Sequence, residues 1–255
     1  MASRARSTPA RASAATRTPR DAEAPLCLGS VGRVQAQPTD TELVQRRRKQ
    51  IVAAAADLFS RKGFEATTVG EIAAAAGIST GLVYHYARSK EDVLFLTLLT
   101  VLDSYRRELP AAMAAFKHPV QRLVSAVRAY ASIIDRRMDA TVLAYRATKN
   151  LPREHRQEIK NAEMDTNALM ESCIREGIRC GQFREVDPVI AAYQFVSFAH
   201  NWALKQWRFK DHLDLQAYLA SGLDVLMRGV ATPAGWRMYR AMPGLQPALT
   251  TGRPA

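Results

Sequence analysis

Residues 67–90, TTVGEIAAAAGISTGLVYHYARSK, constrain the fold more than any other stretch of the chain. Thr68 and Glu71 have the spacing of a capping box, in which each side chain satisfies a free amide at the start of a helix. Gly77 stands where a helix ends and the chain turns with positive φ, and Ser79 is a ready N-cap for a second helix. The pattern therefore predicts two short helices joined by a glycine-containing turn, which is the helix-turn-helix arrangement.

The second of these helices, predicted over residues 80–86, has a surface that suits the major groove of DNA. In a helix-turn-helix this helix enters the groove. Its outward side chains are small or hydrogen-bonding, with no charge to block approach to the duplex: Thr80, Gly81, Tyr84 and His85. Ser89 is predicted to cap the next helix, which places Lys90 and the positive end of that helix where a phosphate can bind.

This stretch, with the helix before it, resembles the N-terminal domain of the TetR/AcrR family of bacterial repressors. The resemblance covers residues 48–98, which makes it more specific than a lone helix-turn-helix. Two positions depart from the family pattern, since Ala87 replaces an aromatic residue and Gly70 replaces a charged or polar one. The matching residues are Phe59, Gly63, Phe64, Thr67, Thr68, Val69, Ile72, Ala73, Ala76, Gly77, Ile78, Ser79, Gly81, Tyr84, His85, Tyr86, Ser89, Lys90 and Glu91.

Positive charge is concentrated around the same stretch. The chain carries a formal charge of +12, and residues 41–90 hold eight arginines and lysines against four carboxylates. The first twenty residues add five arginines and no acid. This clustering indicates a polyanionic partner, and Arg46, Arg47 and Arg48 are expected to bind phosphate rather than read sequence. Arbitrary surface arginines in a basic protein remain the alternative.

Composition and motifs exclude other classes of protein. No apolar run approaches the roughly 18 residues that cross a bilayer, so no membrane partner is expected. Cys173 and Cys180 have no neighbour at metal-ligand spacing and lie too far apart for a disulfide. We interpret them as buried small hydrophobes, with a redox sensor as the alternative, in a reducing cytoplasm. Without a glycine-rich phosphate loop, HExxH or G-x-S-x-G, neither an enzyme nor a bound cofactor or metal is expected.

Helical periodicity continues through the chain, and no strand pattern interrupts it. We predict an all-α fold of about nine helices, with an N-terminal three-helix helix-turn-helix domain and a larger helical domain. The predicted organisation is a disordered basic arm at 1–40, a DNA-binding domain at 41–90, an effector-binding and dimerisation domain at 91–230 and an irregular tail at 231–255. The helix after Ser89, expected to reach Pro110, forms a connector between the two domains.

The last two predicted helices are apolar on more than one side, so they must be covered on more than one side. The resemblance implies that they pair with their copies in a four-helix homodimer interface. Completion of a monomer core is the alternative. The residues expected at the interface are Tyr193, Val196, His200, Trp207, Leu215, Tyr218, Leu219, Gly222 and Leu226.

The resemblance also implies how DNA is bound. Two recognition helices one helical turn of DNA apart read a palindromic operator. On the family pattern, Thr68, Tyr84, His85 and Lys90 hold phosphates. Base edges and thymine methyls are met from the start of the recognition helix, by Thr80, Gly81 and Leu82, and Ser79 is also expected at the DNA surface.

The C-terminal half resembles the subset of the family that responds to acyl-CoA thioesters. The resemblance is carried by YRATKNLP (145–152), IREGIRCGQF (174–183) and His200, Asn201, Trp202 and Trp207. It implies a repressor that a small molecule, such as an acyl-CoA, releases from its double-stranded operator. The expected effector residues are Tyr105, Tyr145, Arg146, Lys149, His200 and Trp202. A constitutive or architectural DNA-binding protein without an effector is the alternative.

Overall fold

The structure is a computed structural model and describes residues 41–244, with side chains from residue 43 onward. A 3-10 turn at Thr148–Asn150 follows the sixth helix. The predicted arm at residues 1–40 lies outside the described range. The α-helices are α1 (Thr41–Lys62), α2 (Val69–Ala76), α3 (Thr80–Tyr86), α4 (Lys90–Ala114), α5 (Pro119–Arg136), α6 (Met138–Ala147), α7 (Arg153–Arg179), α8 (Pro188–Leu204), α9 (Gln206–Phe209), α10 (Leu215–Val230) and α11 (Pro233–Arg240).

The all-α prediction is confirmed, with eleven α-helices in the described range where about nine were expected. The connector helix continues past Pro110 by about one turn, because Leu109 and Met113 extend its buried face. The helix expected to reach Phe209 is divided at Lys205 into α8 and α9. None of the helices within residues 41–244 is long and apolar enough to cross a membrane.

The expectation of an irregular C-terminal tail is wrong for its described part. The side chain of Thr232 accepts a hydrogen bond from the amide of Gly235, and Pro233 occupies the first helical position of α11. Tyr239 is completely buried, so α11 belongs to the core. Residues 245–255 lie outside the described range.

The two cysteines near the end of α7 have different environments. Cys173 is buried, as expected, and burial raises the pKa of its thiol. Cys180 is exposed, because it is the C-cap residue beyond the last turn of α7. The interpretation of both residues as buried hydrophobes is therefore wrong for Cys180.

Buried side chains form two clusters that meet along α4. The first cluster joins α1, α2, α3 and the first half of α4, and it includes Leu143 and Ala147 of α6. The second lies among the second half of α4, α5, α7, α8 and α10. Leu102 packs against both clusters. As a result, α4 and α6 connect the helix-turn-helix to the rest of the protein through packed side chains.

Candidate nucleic-acid interface and effector cavity

Local hydrogen bonds set both ends of α2 and the start of α3. The Thr68 hydroxyl accepts from the Glu71 amide at 3.2 Å, and the Glu71 carboxylate accepts from the Thr68 amide at 2.9 Å. Gly77 turns the chain at φ 66°, and the Ser79 hydroxyl accepts from the Leu82 amide at 3.2 Å. The capping box, the glycine turn and the Ser79 cap are thus confirmed.

The Glu71 carboxylate also pairs with an ammonium group from the end of α1. Hydrogen bonds from Lys62 and then from Thr68 lower the pKa of Glu71 to about 2. Because the carboxylate stays ionised at neutral pH, the first turn of α2 keeps a negative charge at its positive end. The ion pair adds to the buried contacts that pack α2 against α1.

Helix α3 buries one side and exposes the other. Val83 is completely buried, with Ala87 just after the helix also buried behind it. The predicted DNA-facing residues Ser79, Thr80, Gly81, Tyr84 and His85 are exposed, while Leu82 is half-buried. The exposed face is therefore free of acidic side chains and is available to a ligand as large as a duplex.

Lys90 lies at the start of α4 and contacts the loop between α1 and α2. Its ammonium donates to the carbonyl oxygens of Phe64 at 2.9 Å and Glu65 at 3.1 Å, and it stands 4.5 Å from the Phe64 ring centroid. An ammonium has three donors, so one remains for a phosphate. In the first turns of α1, Arg46 is exposed, whereas Arg47 and Arg48 are half-buried.

Helices α4, α5, α6, α7 and α8 enclose a cavity of 270 Å³. Its apolar wall consists of Leu98, Val101, Leu102, Ala144 and Ile159. Its polar wall consists of Tyr105, Tyr130, Thr141, Tyr145, Thr148, Lys160, Glu163 and His200. We refer to this space, with these thirteen residues, as the effector cavity.

A histidine between two tyrosines organises the polar wall. His200 Nε2 lies 3.1 Å from the Tyr130 hydroxyl, and its Nδ1 lies 2.9 Å from the Tyr145 hydroxyl. Burial lowers the pKa of His200 to about 4, so the ring is neutral at pH 7. A neutral imidazole has one donor and one acceptor, so one tyrosine donates to the ring and the other accepts from it.

The effector cavity carries little net charge. Its only charged lining residues are Lys160 and Glu163, and burial raises the pKa of Glu163. The rings of Tyr105 and Tyr130 stack with centroids 4.0 Å apart, and burial raises the pKa of both phenols. The cavity suits a compact, largely uncharged group that can exchange hydrogen bonds with phenols and an imidazole.

Comparison with known proteins identifies the family. The model for bacterial regulatory proteins of the tetR family matches residues 51–96, and the model for the tetracyclin repressor-like C-terminal domain matches residues 117–208. The HTH-type transcriptional regulator HbdR of Aromatoleum sp. (strain CIB) is 43% identical over 222 residues, which cover 87% of this chain and 97% of that protein. This chain belongs to the TetR family.

Two further proteins are similar to this chain, one over a shorter span of sequence and the other in fold. The transcriptional repressor KstR2 of Mycolicibacterium smegmatis is 28% identical over 164 residues, covering 63% of this chain and 78% of that protein. The crystal structure of AibR in complex with isovaleryl coenzyme A and operator DNA has a TM-score of 0.61 at 23% identity, covering 71% of this chain and 97% of AibR. This TetR-family protein is accordingly a transcriptional regulator and not an enzyme.

Three of the six predicted effector residues of this TetR-family regulator line the effector cavity: Tyr105, Tyr145 and His200. Trp202 does not, because it is buried and its indole nitrogen donates to the Asp135 carboxylate at 2.7 Å. Arg146 and Lys149 line a different cleft, on the side of α6 that faces α1. Trp202 is therefore corrected to a core position, whereas effector binding by Arg146 and Lys149 stays a prediction.

Sequence reasoning missed several residues of the effector cavity. Neither Tyr130 of α5 nor Glu163 of α7 was among the predicted effector residues. The helical period places Glu163 one turn beyond Ile159, on the buried face of that helix. A carboxylate on an otherwise apolar helix face was the sequence feature that could have indicated a cavity-lining residue.

The predicted dimer residues of the TetR-family regulator divide into two groups. Val196, Tyr218 and Leu219 are buried in the core of the same chain, and Gly222 accommodates the ring of Phe198, so these four are corrected to intrachain packing. His200 belongs to the effector cavity. Those that retain exposed surface are Tyr193, Trp207, Leu215 and Leu226.

Proposed function

We propose that this regulator is a repressor that binds a palindromic operator as a homodimer and leaves it when a small molecule fills the effector cavity. The observation that carries the proposal is that helices of the effector cavity also pack in the hydrophobic core of the helix-turn-helix. The proposed division of labour is DNA binding by residues 41–90 and effector binding and dimerisation by residues 91–230. An operator on genomic DNA implies a cytoplasmic protein.

Contact with DNA is proposed for the first turns of α1, the N-terminal ends of α2 and α4, and the exposed face of α3. Thr80, Gly81 and Leu82 would meet base edges, since they open the helix that enters the groove. Phosphate contacts are assigned to the remaining DNA-facing group, which consists of Arg46, Arg47, Arg48, Thr68, Ser79, Tyr84, His85 and Lys90. The exposed, acid-free face of α3 and the free third donor of Lys90 support this assignment.

The dimer is proposed to form through α8 and α10. Ile190, Tyr193 and Val225 on these helices are 61%, 38% and 70% exposed. The helices are fixed side by side, because the Tyr218 hydroxyl donates to the Phe198 carbonyl at 2.7 Å. Exposed apolar side chains on two adjacent, firmly packed helices are the expected signature of a protein interface.

Coupling between the effector cavity and DNA runs through two helices. Leu98 of α4 lines the cavity and is also buried in the helix-turn-helix cluster. On α6, Ala144 and Tyr145 line the cavity, Leu143 and Ala147 are buried in the helix-turn-helix cluster, and Ala144 also packs against that cluster. A ligand that fits the cavity only after α4 or α6 shifts binds the DNA-free state more tightly, and this difference in affinity drives release.

The proposed ligand is an acyl-CoA whose acyl group occupies the effector cavity. At 270 Å³ the cavity lies just below the about 300–1,000 Å³ typical of ligand pockets, so it takes a compact group and leaves the coenzyme outside. AibR, of the same fold, is crystallised with isovaleryl coenzyme A. The alternative, a DNA-binding protein without an effector, leaves a cavity lined by a neutral histidine and three tyrosines without a purpose.

The test is footprinting of the purified full-length chain on the DNA around its own gene, with and without a panel of short-chain and aromatic acyl-CoAs. We expect a protected palindrome with two symmetric half-sites, and loss of protection with at least one thioester. A single unpaired half-site contradicts the dimer. Protection unaffected by every thioester, together with an unchanged melting temperature of the protein, favours the alternative of a DNA-binding protein without an effector.

A further inference from the structure

A second concave surface lies on the opposite side of α6 from the effector cavity. It encloses 500 Å³ between the end of α1 with the loop after it and the end of α6 with the following 3-10 turn. We name it the basic cleft. Its charged lining consists of Arg61, Lys62, Arg146, Lys149 and the single carboxylate of Glu65.

Two of these cations already have carboxylate partners. Arg61 pairs with Asp57, one turn earlier on α1. Lys62 pairs with Glu71 in the capping box of α2. Their charges are therefore compensated within the helix-turn-helix.

The other two cations come from the effector domain and have no carboxylate partner among residues 43–244. Arg146 and Lys149 are both exposed to solvent at the rim of the cleft. A third cation lies close by, because the Arg156 guanidinium donates to the Lys149 carbonyl at 3.2 Å and the Leu151 carbonyl at 2.7 Å. Uncompensated cations that converge on a concave surface attract a multiply charged anion.

The basic cleft and the effector cavity differ in chemistry although one helix separates them. The cavity has one cation and one carboxylate in its lining, whereas the cleft has four cations and one carboxylate. Ala144 and Thr148 face the cavity, and Arg146 and Lys149 face the cleft. A helix with its side chains is about 10–12 Å across, so a ligand longer than that can reach both around the end of α6.

We propose that the basic cleft is a binding site for the phosphate groups of a small molecule, separate from the effector cavity. Arg146 and Lys149 supply the charge-assisted hydrogen bonds. Phe64 and Glu65 form the opposite wall, so an occupant contacts the helix-turn-helix and α6 together. The phosphates come from one of two sources: the nucleotide end of a thioester whose acyl group fills the cavity, which rests on the proposed function, or a separate nucleotide.

The test measures binding of adenosine 3′,5′-bisphosphate and coenzyme A to the full-length chain by calorimetry, without DNA. The double variant Arg146→Ala/Lys149→Ala is expected to weaken the binding of both probes at least about tenfold, because it removes the two side chains that form charge-assisted hydrogen bonds to phosphate. The matched control is Lys210→Ala/Arg237→Ala, which removes two exposed cations outside the cleft and should bind as the wild type does.

The sources are distinguished by an acyl-pantetheine thioester, which lacks the nucleotide. If the double variant weakens acyl-CoA but not acyl-pantetheine, the phosphates belong to the thioester. If the bisphosphate binds as tightly as acyl-CoA and both can be bound at once, the site takes a separate nucleotide. Either result supports the site, whether or not DNA is released.

Three results overturn the phosphate site. One is that the wild type binds neither phosphate probe. Another is that the double variant and its control lose affinity for the probes to the same extent. The third is that the double variant keeps phosphate binding but loses affinity for DNA, which would assign Arg146 and Lys149 to the DNA backbone. Failure of the proposed function is seen separately, as an operator that no thioester releases.

Discussion

His200 lies between two tyrosine hydroxyls in the wall of the effector cavity and has no charged partner there. Lys90 likewise bridges two segments, since its ammonium fixes the start of α4 to the loop after α1. At the residue scale, Lys90 keeps one N–H donor for a ligand, whereas both ring nitrogens of His200 are occupied by tyrosine hydroxyls, so a ligand must replace one of these hydrogen bonds to reach the imidazole. Substitution of either residue should therefore change both the stability of the protein and its binding of a ligand or DNA, and the two effects can be measured separately.

The pH dependence of stability should report on His200. Burial lowers its pKa from 6.5 to about 4, so the unfolded chain binds a proton in this window and the folded chain does not. The free energy of unfolding should therefore fall as the pH drops from about 7 to 4, by up to about 3 kcal/mol from this residue. Urea denaturation at several pH values should show a flatter dependence of the free energy of unfolding on pH for His200→Phe than for the wild type.

The matched control is His212→Phe, which changes an exposed histidine and should keep the wild-type pH dependence. Identical pH dependence for the wild type and His200→Phe would contradict the assignment of this effect to His200.

Lys90→Ala should weaken binding to all DNA sequences about equally. One lost phosphate contact lowers the slope of log K against log salt by about 1, and base discrimination is unchanged. Fluorescence anisotropy at three salt concentrations, on the operator and on a scrambled duplex, measures both effects. A loss confined to the operator would make Lys90 a base reader, and an unchanged salt slope would leave it only its bonds to Phe64 and Glu65.

At the scale of elements, caps and turns were predictable and tertiary contacts were not. The bounds of α2 and α3 follow from Thr68, Glu71, Gly77 and Ser79, because each acts on amides within four residues of itself. Membership of the effector cavity depends on how α6 is rotated against the core. A rotation of about 100° per residue separates Tyr145, in the cavity, from Arg146, in the basic cleft, and the local sequence does not fix that rotation.

The packing of α8 on α10 depends on the absence of a side chain at Gly222. A Cβ atom there would lie 2.0 Å from the ring of Phe198. Gly222→Ala should lower the free energy of unfolding by about 1–3 kcal/mol, as expected for an overpacked core. Phe198→Leu in the same chain should restore part of the loss, which urea denaturation of the single and double variants measures. If the losses in free energy of unfolding of the two single variants simply add in the double variant, positions 222 and 198 are not in contact. Gly229→Ala, with open space around its Cβ, is the control.

At the scale of the whole molecule, the exposed residues of α8 and α10 predict the oligomeric state. Ile190→Glu/Val225→Glu should convert a dimer into a monomer, because it buries two charges in the proposed interface. Sedimentation at micromolar concentration measures this. Met164→Glu, at a 60% exposed apolar residue of α7, should remain dimeric. A wild-type monomer, or a dimer in all three proteins, would contradict the assignment of the interface.

In the proposed mechanism, occupancy of the effector cavity controls DNA binding through α4 and α6. The most direct measurement is operator affinity, by fluorescence anisotropy, as a function of thioester concentration for the wild type and for Ala144→Phe and Ala144→Trp. These substitutions fill the cavity from α6 without touching the exposed face of α3. The thioester should weaken operator binding by the wild type, and this response should become smaller as the side chain at position 144 becomes larger. Release that persists unchanged in Ala144→Trp, with the thioester bound as tightly as in the wild type, would contradict this mechanism.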